Sequence, residues 1–183
     1  MTSLQRITTE YFQGEDRVRL AGANSQGQTV VLWLTQRLIN RLITHLCRWL
    51  EQQSGQSDST QEAQVVKQPA IGQEVAQSFA QQAAAAALTT EPAVNAAADA
   101  PQVLVHSVDV SAHAAGVRLL FKAQSAPHAE PPCVSMNAVA LRQWLGIVYA
   151  QYRKAEWSTA AWPQWMEEAS RPAAPQAQRV LWH

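Results

Sequence analysis

The sequence predicts an α+β protein made of two β-β-β-α units, with an antiparallel sheet packed on two helices and a long Ala/Gln-rich linker between the units. Both halves carry short β-branched or apolar stretches, each half then has an amphipathic helical pattern, and the middle is rich in Gln, Ser and Ala. We expect residues 1–51 to form the first unit and 52–101 the low-complexity linker. We expect residues 102–170 to form the second unit with a Trp-rich extension, and residues 171–183 to form a flexible C-terminal tail.

The first unit opens with a predicted hairpin and a third strand. Residues 7–12 are rich in β-branched and aromatic types, and residues 17–20 alternate polar with apolar side chains. Gly14, Glu15 and Asp16 between them supply turn chemistry. Residues 29–34 are short and almost wholly apolar, which indicates a strand buried on both faces.

A helix is predicted over residues 36–51, because Thr35 can cap its first turn and apolar residues recur at three-and-four spacing. Arg37, Arg41 and Arg48 lie on the opposite, polar face. The apolar stripe consists of Leu38, Ile39, Leu42, Ile43, Leu46, Trp49 and Leu50.

The linker is Gln-, Ser- and Ala-rich and interrupted by prolines, a composition typical of disorder. One helix is nevertheless predicted within it, over about residues 71–88. Ile71, Val75 and Phe79 recur every four residues there, and we expect these three side chains to dock it on the rest of the protein.

The second unit repeats the order of the first. Residues 103–110 and 116–122 are predicted as a hairpin, and 133–136 as a short strand. Asn137 is the predicted cap of a helix over 138–154. The apolar face of that helix consists of Leu141, Trp144, Leu145, Val148, Tyr149 and Tyr152.

An internal duplication is predicted from the alignment of the two halves. A shift of 99 residues places Val18-Arg19-Leu20 on the identical triplet Val117-Arg118-Leu119, and a shift of 102 places cap Thr35 on cap Asn137. A unit of about 45 residues is too small to bury a good core alone, so two must share one. Because such pairs often descend from homodimers, further self-association is an expectation.

The same shift of 99 places Glu10 on Asp109. This equivalence favours structural pairing with Arg19 or Arg118 across a hairpin over acid–base chemistry.

Other candidate chemistry is weak. His106, His113 and His128 lack the close ligand pairs of a zinc site, and the two cysteines, Cys47 and Cys133, are predicted to be reduced thiols. No nucleophile elbow or Gly-rich phosphate loop occurs. The sequence therefore predicts no enzyme activity, metal or cofactor.

Tryptophan is unusually frequent in this sequence, with seven residues against three Phe and three Tyr. Trp157, Trp162 and Trp165 fall outside the regular pattern and either fold back as a lid or bind a partner, since Trp is enriched at interface hot spots. In the tail, Val180, Leu181 and Trp182 resemble a short docking peptide for this protein's own core or for a partner.

These observations predict a cytoplasmic, non-catalytic protein-binding accessory subunit, scaffold or assembly factor. It would dock through the Trp-rich segment, a sheet edge or the tail. Acids and bases balance at 14 each, and no apolar run reaches the ~18 residues of a membrane span, so neither nucleic acid nor membrane is the favoured partner. The alternative is a nucleic-acid-binding accessory protein that uses Arg37, Arg41 and Arg48 on helix 36–51.

Overall fold

The structure is a computed structural model that describes residues 2–56, 70–89, 91–123 and 130–171. These residues form an α+β fold with a six-stranded sheet and four helices. In chain order the elements are β1 (Thr2–Phe12), β2 (Arg17–Asn24), β3 (Thr29–Leu34), α1 (Gln36–Gln56), α2 (Ala70–Ala86), β4 (Gln102–His113), β5 (Gly116–Ala123), β6 (Pro132–Met136), α3 (Ala138–Lys154) and α4 (Gln164–Ala169).

The six strands close into a barrel in the order β1-β2-β3-β4-β5-β6. Within each half the strands pair antiparallel with their sequence neighbours. Two short parallel seams join the halves: β3 pairs with Gln102–Leu104 of β4, and β6 pairs with Thr2 and Ser3 of β1. The predicted antiparallel sheet is therefore corrected to a mixed, closed one.

Two features of the first hairpin differ from the second. Phe12 lies opposite Arg17, so four residues form the first turn, and Asp16 adopts a positive φ of 47°. In the second hairpin His113 lies opposite Gly116, so only two residues form the turn. A Cβ at Gly116 would collide with the Met136 carbonyl oxygen, which is why a glycine fits where β5 passes β6.

The shorter second turn changes the register that the duplication predicts. Glu10 lies opposite Arg19, whereas Asp109 lies opposite Leu120 and not opposite Arg118. The other antiparallel ladder keeps the predicted offsets, since β2 and β3 pair as β5 and β6 do. The structure therefore does not confirm the repeat alignment over the whole unit.

Both predicted helix caps are confirmed. The Leu38 amide donates to Thr35 Oγ1 at 3.3 Å, and the Ala140 amide donates to Asn137 Oδ1 at 2.8 Å. The apolar faces of α1 and α3 are buried in one continuous core with the inward side chains of the barrel. The described chain has four helices, so the simpler arrangement of a sheet on two helices is not confirmed.

The described end of the linker lies against the barrel. The Val94 amide donates to Thr8 Oγ1 at 2.8 Å, and Val94 itself is buried. The Ala97 amide donates to Thr29 Oγ1 at 3.0 Å. These contacts tie residues 91–101 to β1 and β3 before β4 begins.

Candidate protein-interaction surface

The three tryptophans of the extension fold back onto the core. Trp165 is fully buried, and its indole Nε1 donates to Glu51 Oε1 at 3.1 Å. Trp162 is also buried, with its ring edge-on to Tyr149 and Tyr152 at centroid distances of 5.1 and 5.4 Å. Trp157 is partly buried and donates from Nε1 to Asp16 Oδ1 at 2.9 Å. The sequence leaves two interpretations of this segment, a lid on the core or a partner-binding surface, and the positions of these rings are those of a lid.

This placement limits what the Trp segment can offer a partner. Binding hot spots need an anchor side chain that leaves water when the partner arrives, and the rings of Trp162 and Trp165 are already out of water. Trp157 stands between Tyr11 and Tyr152, at 5.5 and 5.1 Å between ring centroids. The segment therefore connects α3, α4 and the first hairpin.

Beneath α2 lies a buried arginine that the sequence analysis did not identify. Arg142 of α3 is only 5% exposed, and its guanidinium stands over the Trp165 ring at 5.4 Å. Its Nη2 donates to the Gln77 side-chain oxygen. Burial lowers the pKa of the Arg142 guanidinium from its ordinary value. A buried guanidinium needs polar partners, and α2 brings them.

Helix α2 consequently docks through its polar face. Gln77 and Gln81 are almost fully buried, and Gln81 Nε2 donates to the Arg142 carbonyl oxygen at 2.9 Å. The helix itself matches the predicted segment, but the predicted docking side is wrong: Val75 and Phe79 point to solvent. The side chain of Ile71 lies outside the described residues. Gln77 thus supplies an acceptor for the guanidinium and Gln81 a donor for the backbone, while Arg142 Nη1, Gln77 Nε2 and Gln81 Oε1 have no hydrogen-bond partner among the described residues.

The outward face of α2 is uncharged and carries two exposed apolar side chains. Phe79 is 66% exposed and Val75 is 45% exposed, one helical turn apart and opposite the buried glutamines. Glu74 is the single charged residue of α2, and its carboxylate accepts from the Trp165 amide at 3.1 Å, on the inner side. We call this outward face the α2 stripe. It consists of Val75, Phe79 and the exposed Gln82, Ala83 and Ala86.

The arginines of α1 lie where the sequence predicts. Arg37, Arg41 and Arg48 are all exposed on one side of the helix. Among the described residues, none of the ion pairs includes one of these three arginines.

The candidate tail residues Val180, Leu181 and Trp182 lie outside the described residues, as does His128.

The remaining candidate chemical groups are scattered. His106 and His113 are exposed, and the described part of the chain holds no group of three or more His, Cys, Asp or Glu side chains suited to a metal. Cys47 and Cys133 are free and buried. Burial raises the pKa of the Cys47 thiol to about 12, which keeps it protonated. Burial likewise raises the pKa of the Tyr152 hydroxyl.

The candidate carboxylates make hairpin ion pairs. Glu10 Oε1 lies 2.7 Å from Arg19 Nη1, as predicted. Asp109 Oδ2 lies 2.5 Å from Lys122 Nζ, and the predicted partner Arg118 is corrected because the two-residue turn shifts the register. Both acids serve cross-strand pairing on exposed faces of the barrel.

The clefts of the described structure include one at an end of the barrel and one beside α3. The larger, of about 690 Å³, opens at the end of the barrel where the parallel seams begin, with an apolar floor of Leu4, Val103 and Phe121 and with Lys122 and Glu130 at its lining. The smaller, of about 300 Å³, lies between β1, β6 and α3, against Trp144 and Leu88. The lining of the smaller cleft includes no ionisable side chain.

No helix in the described ranges is long and apolar enough to cross a membrane. Comparison of the chain with models of protein families, with curated proteins and with solved structures finds no match.

Proposed function

We propose that this protein is a non-catalytic accessory subunit or assembly factor that binds a protein partner through the α2 stripe. The observation that carries the proposal is the orientation of α2, which buries amides and presents Phe79 and Val75 to solvent. An ordered helix at a protein surface normally turns charged side chains outward. An uncharged outward face with adjacent exposed apolar residues is instead typical of a helix that a partner covers.

The stripe fits one kind of partner. Val75 and Phe79 have the one-turn spacing of two anchors, and Ala83 and Ala86 continue the same face with side chains small enough for close approach. With no charge on this face, the partner surface it complements is an apolar groove on another protein, with the Phe79 ring as the central anchor.

The other predicted docking routes rank below the stripe. Trp162 and Trp165 are buried, and sheet edges are offered where Ser107–His113 of β4 pairs with β5 alone and where Arg6–Phe12 of β1 pairs with β2 alone. That outer half of β4 stays a candidate for strand addition. The tail stays a prediction, and its relation to the stripe is developed below.

Nucleic-acid binding is the second candidate, favoured by the three exposed arginines of α1. Helices α1 and α3 together carry Arg37, Arg41, Arg48, Arg142, Arg153 and Lys154 against the single acid Glu51. Phosphates could be contacted by the exposed members of this set. The stripe is preferred because exposed arginines on a helix are also the ordinary solvated face of an amphipathic helix, whereas an exposed phenylalanine is not.

A capture experiment with matched variants tests the proposal. The full chain, Phe79→Ser and the control Val139→Ser, which changes another exposed apolar residue on a helix, are used as bait at moderate salt. The candidate partner is then purified and its affinity measured by calorimetry. We expect a stoichiometric partner whose affinity falls about tenfold or more with Phe79→Ser and little with Val139→Ser. Equal binding by both variants would refute the α2 stripe as the interface.

Nucleic acid is tested on the same preparations. If it is the ligand, replacing Arg37, Arg41 and Arg48 by Gln reduces the affinity for a labelled oligonucleotide. The same replacement makes that affinity less dependent on salt, because the slope against salt concentration decreases by about one for each phosphate that the protein no longer neutralises. Phe79→Ser then has no effect. This outcome would show that α1, and not the α2 stripe, carries the binding site.

Two further properties belong to this proposal. We propose that the β-β-β-α units arose by duplication, supported by the shared offsets of the β2–β3 and β5–β6 ladders and by the two caps. A cytoplasmic location is supported by two unpaired, buried cysteines, since reducing compartments keep thiols free.

A further inference from the structure

We infer that the C-terminal tail of this chain occupies the α2 stripe when no partner is bound. The inference rests on the proposed function, because it treats the stripe as a binding surface, and it identifies the first occupant. The tail segment is residues 172–183, which ends in Val180-Leu181-Trp182-His183.

The tail follows a helix that lies against α2. Helix α4 packs on α2, and the Trp165 amide donates to Glu74 at 3.1 Å. Arg171 lies two residues after the end of α4 and forms an exposed ion pair with Glu167 at 2.9 Å. Phe79 stands only about 8 Å further along the α2 axis than Glu74, at 1.5 Å per residue.

The length of the tail is sufficient. Twelve residues follow Arg171, and an extended chain of that length spans about 40 Å. A helix with its side chains is about 10–12 Å in diameter, so the tail can pass from the inner side of α2 to its outer side. Its first seven residues are Pro, Ala and Gln, without charge, which allows them to run along a neutral helix surface.

The chemistry of the two surfaces is complementary. The stripe offers a phenylalanine and a valine with no charge beside them, and the tail offers valine, leucine and tryptophan in succession. Each is an apolar group that gains from being covered. Because the tail is tethered, its effective concentration at the stripe is in the millimolar range, so weak contacts suffice for occupancy. A partner must displace it, and the tail therefore lowers the partner's apparent affinity.

Disulfide trapping tests the inference while leaving the proposed anchors intact. Gln82→Cys, one turn from Phe79 on the exposed face, is combined with His183→Cys, next to Trp182. The control pair combines His183→Cys with Ser111→Cys, an exposed position on β4. We expect the first pair to form an intramolecular disulfide about tenfold faster or more than the control. Adding Trp182→Ser should return that rate to the control rate.

Three outcomes would overturn the inference: equal rates for the two pairs, no effect of Trp182→Ser, or disulfide-linked dimers as the main product. The last would make a second copy of the chain the occupant. The proposed function fails separately, because it depends on whether Phe79→Ser loses the partner. If the inference holds, a chain ending at Arg171 binds that partner more tightly than the full chain.

Discussion

The docking of α2 can be tested by removing one buried amide. Gln77→Ala deletes the side-chain acceptor of Arg142 Nη2 and leaves the guanidinium with one partner fewer in a site away from water. A hydrogen bond to a charged group contributes about 1.5–3 kcal/mol. Because an isolated helix of this length is marginal in water, α2 melts when it leaves α3, and the whole loss appears as local opening.

Amide hydrogen exchange measures that opening directly. A loss of about 2 kcal/mol corresponds to exchange of the α2 amides about 30-fold faster. Gln73→Ala is the matched control, since Gln73 lies on the same helix but is exposed, and its effect should stay within about 0.5 kcal/mol. Equal exchange in the two variants would refute the argument that Arg142 fixes the orientation of α2.

A double variant separates the hydrogen bond from the space it fills. Arg142→Met combined with Gln77→Leu replaces both partners by apolar groups, which removes the need to satisfy the charge. We expect its α2 amides to exchange more slowly than those of Gln77→Ala alone.

Three more predictions follow from packing and titration. Gly116→Ala should lower the free energy of unfolding in urea by about 1–3 kcal/mol because of the collision with β6, whereas Gly72→Ala, with open space around it, should raise it by about 0.5–1 kcal/mol; a similar loss in both would contradict the geometry. Trp165→Ala should cost about 3–5 kcal/mol and Phe79→Ala at most about 0.5 kcal/mol, measured the same way; a comparable cost would mean that α2 is turned the other way. The unfolded Cys47 thiol ionises near its ordinary pKa of 9.0 while the folded one stays protonated to about 12, so its contribution to stability is complete below pH 9 and falls by about 1.4 kcal/mol per pH unit between pH 9 and about 12; Cys47→Ala should remove that part of the slope, and an unchanged slope would contradict it.

The helices of both units were predictable because their signals are local. The stripes of α1 and α3 repeat at helical spacing and the caps Thr35 and Asn137 precede them, so each boundary can be read within a few residues. The closure of the barrel was not predictable in this way. The seam between β6 and the first residues of β1 joins Thr2 to Pro132, and pairing over such a separation leaves no periodicity in either segment.

The orientation of α2 shows how tertiary structure overrides a local pattern. Val75 and Phe79 gave the correct helix and the wrong docking face. A signal for the correct face was present in α3, where Arg142 stands three residues before Leu145 and seven before Tyr149, on the buried side. An arginine at a core position requires polar partners from whichever helix covers it. In α2 the side chains that can accept a hydrogen bond from its guanidinium are the glutamines, Glu74 and Ser78.

The two short seams also bear on how the molecule assembles. Each half is a meander of neighbouring strands, so most of its pairings connect residues close in sequence, while the seams comprise only three residue pairs at one side and two at the other. Low contact order within a half favours early formation of the hairpins, and closure of the ring is then the late step. A chain cut between Gln56 and Ala70 would present two halves with complementary seams and a shared core. We expect two such halves, mixed as separate chains, to reassociate and to close the barrel.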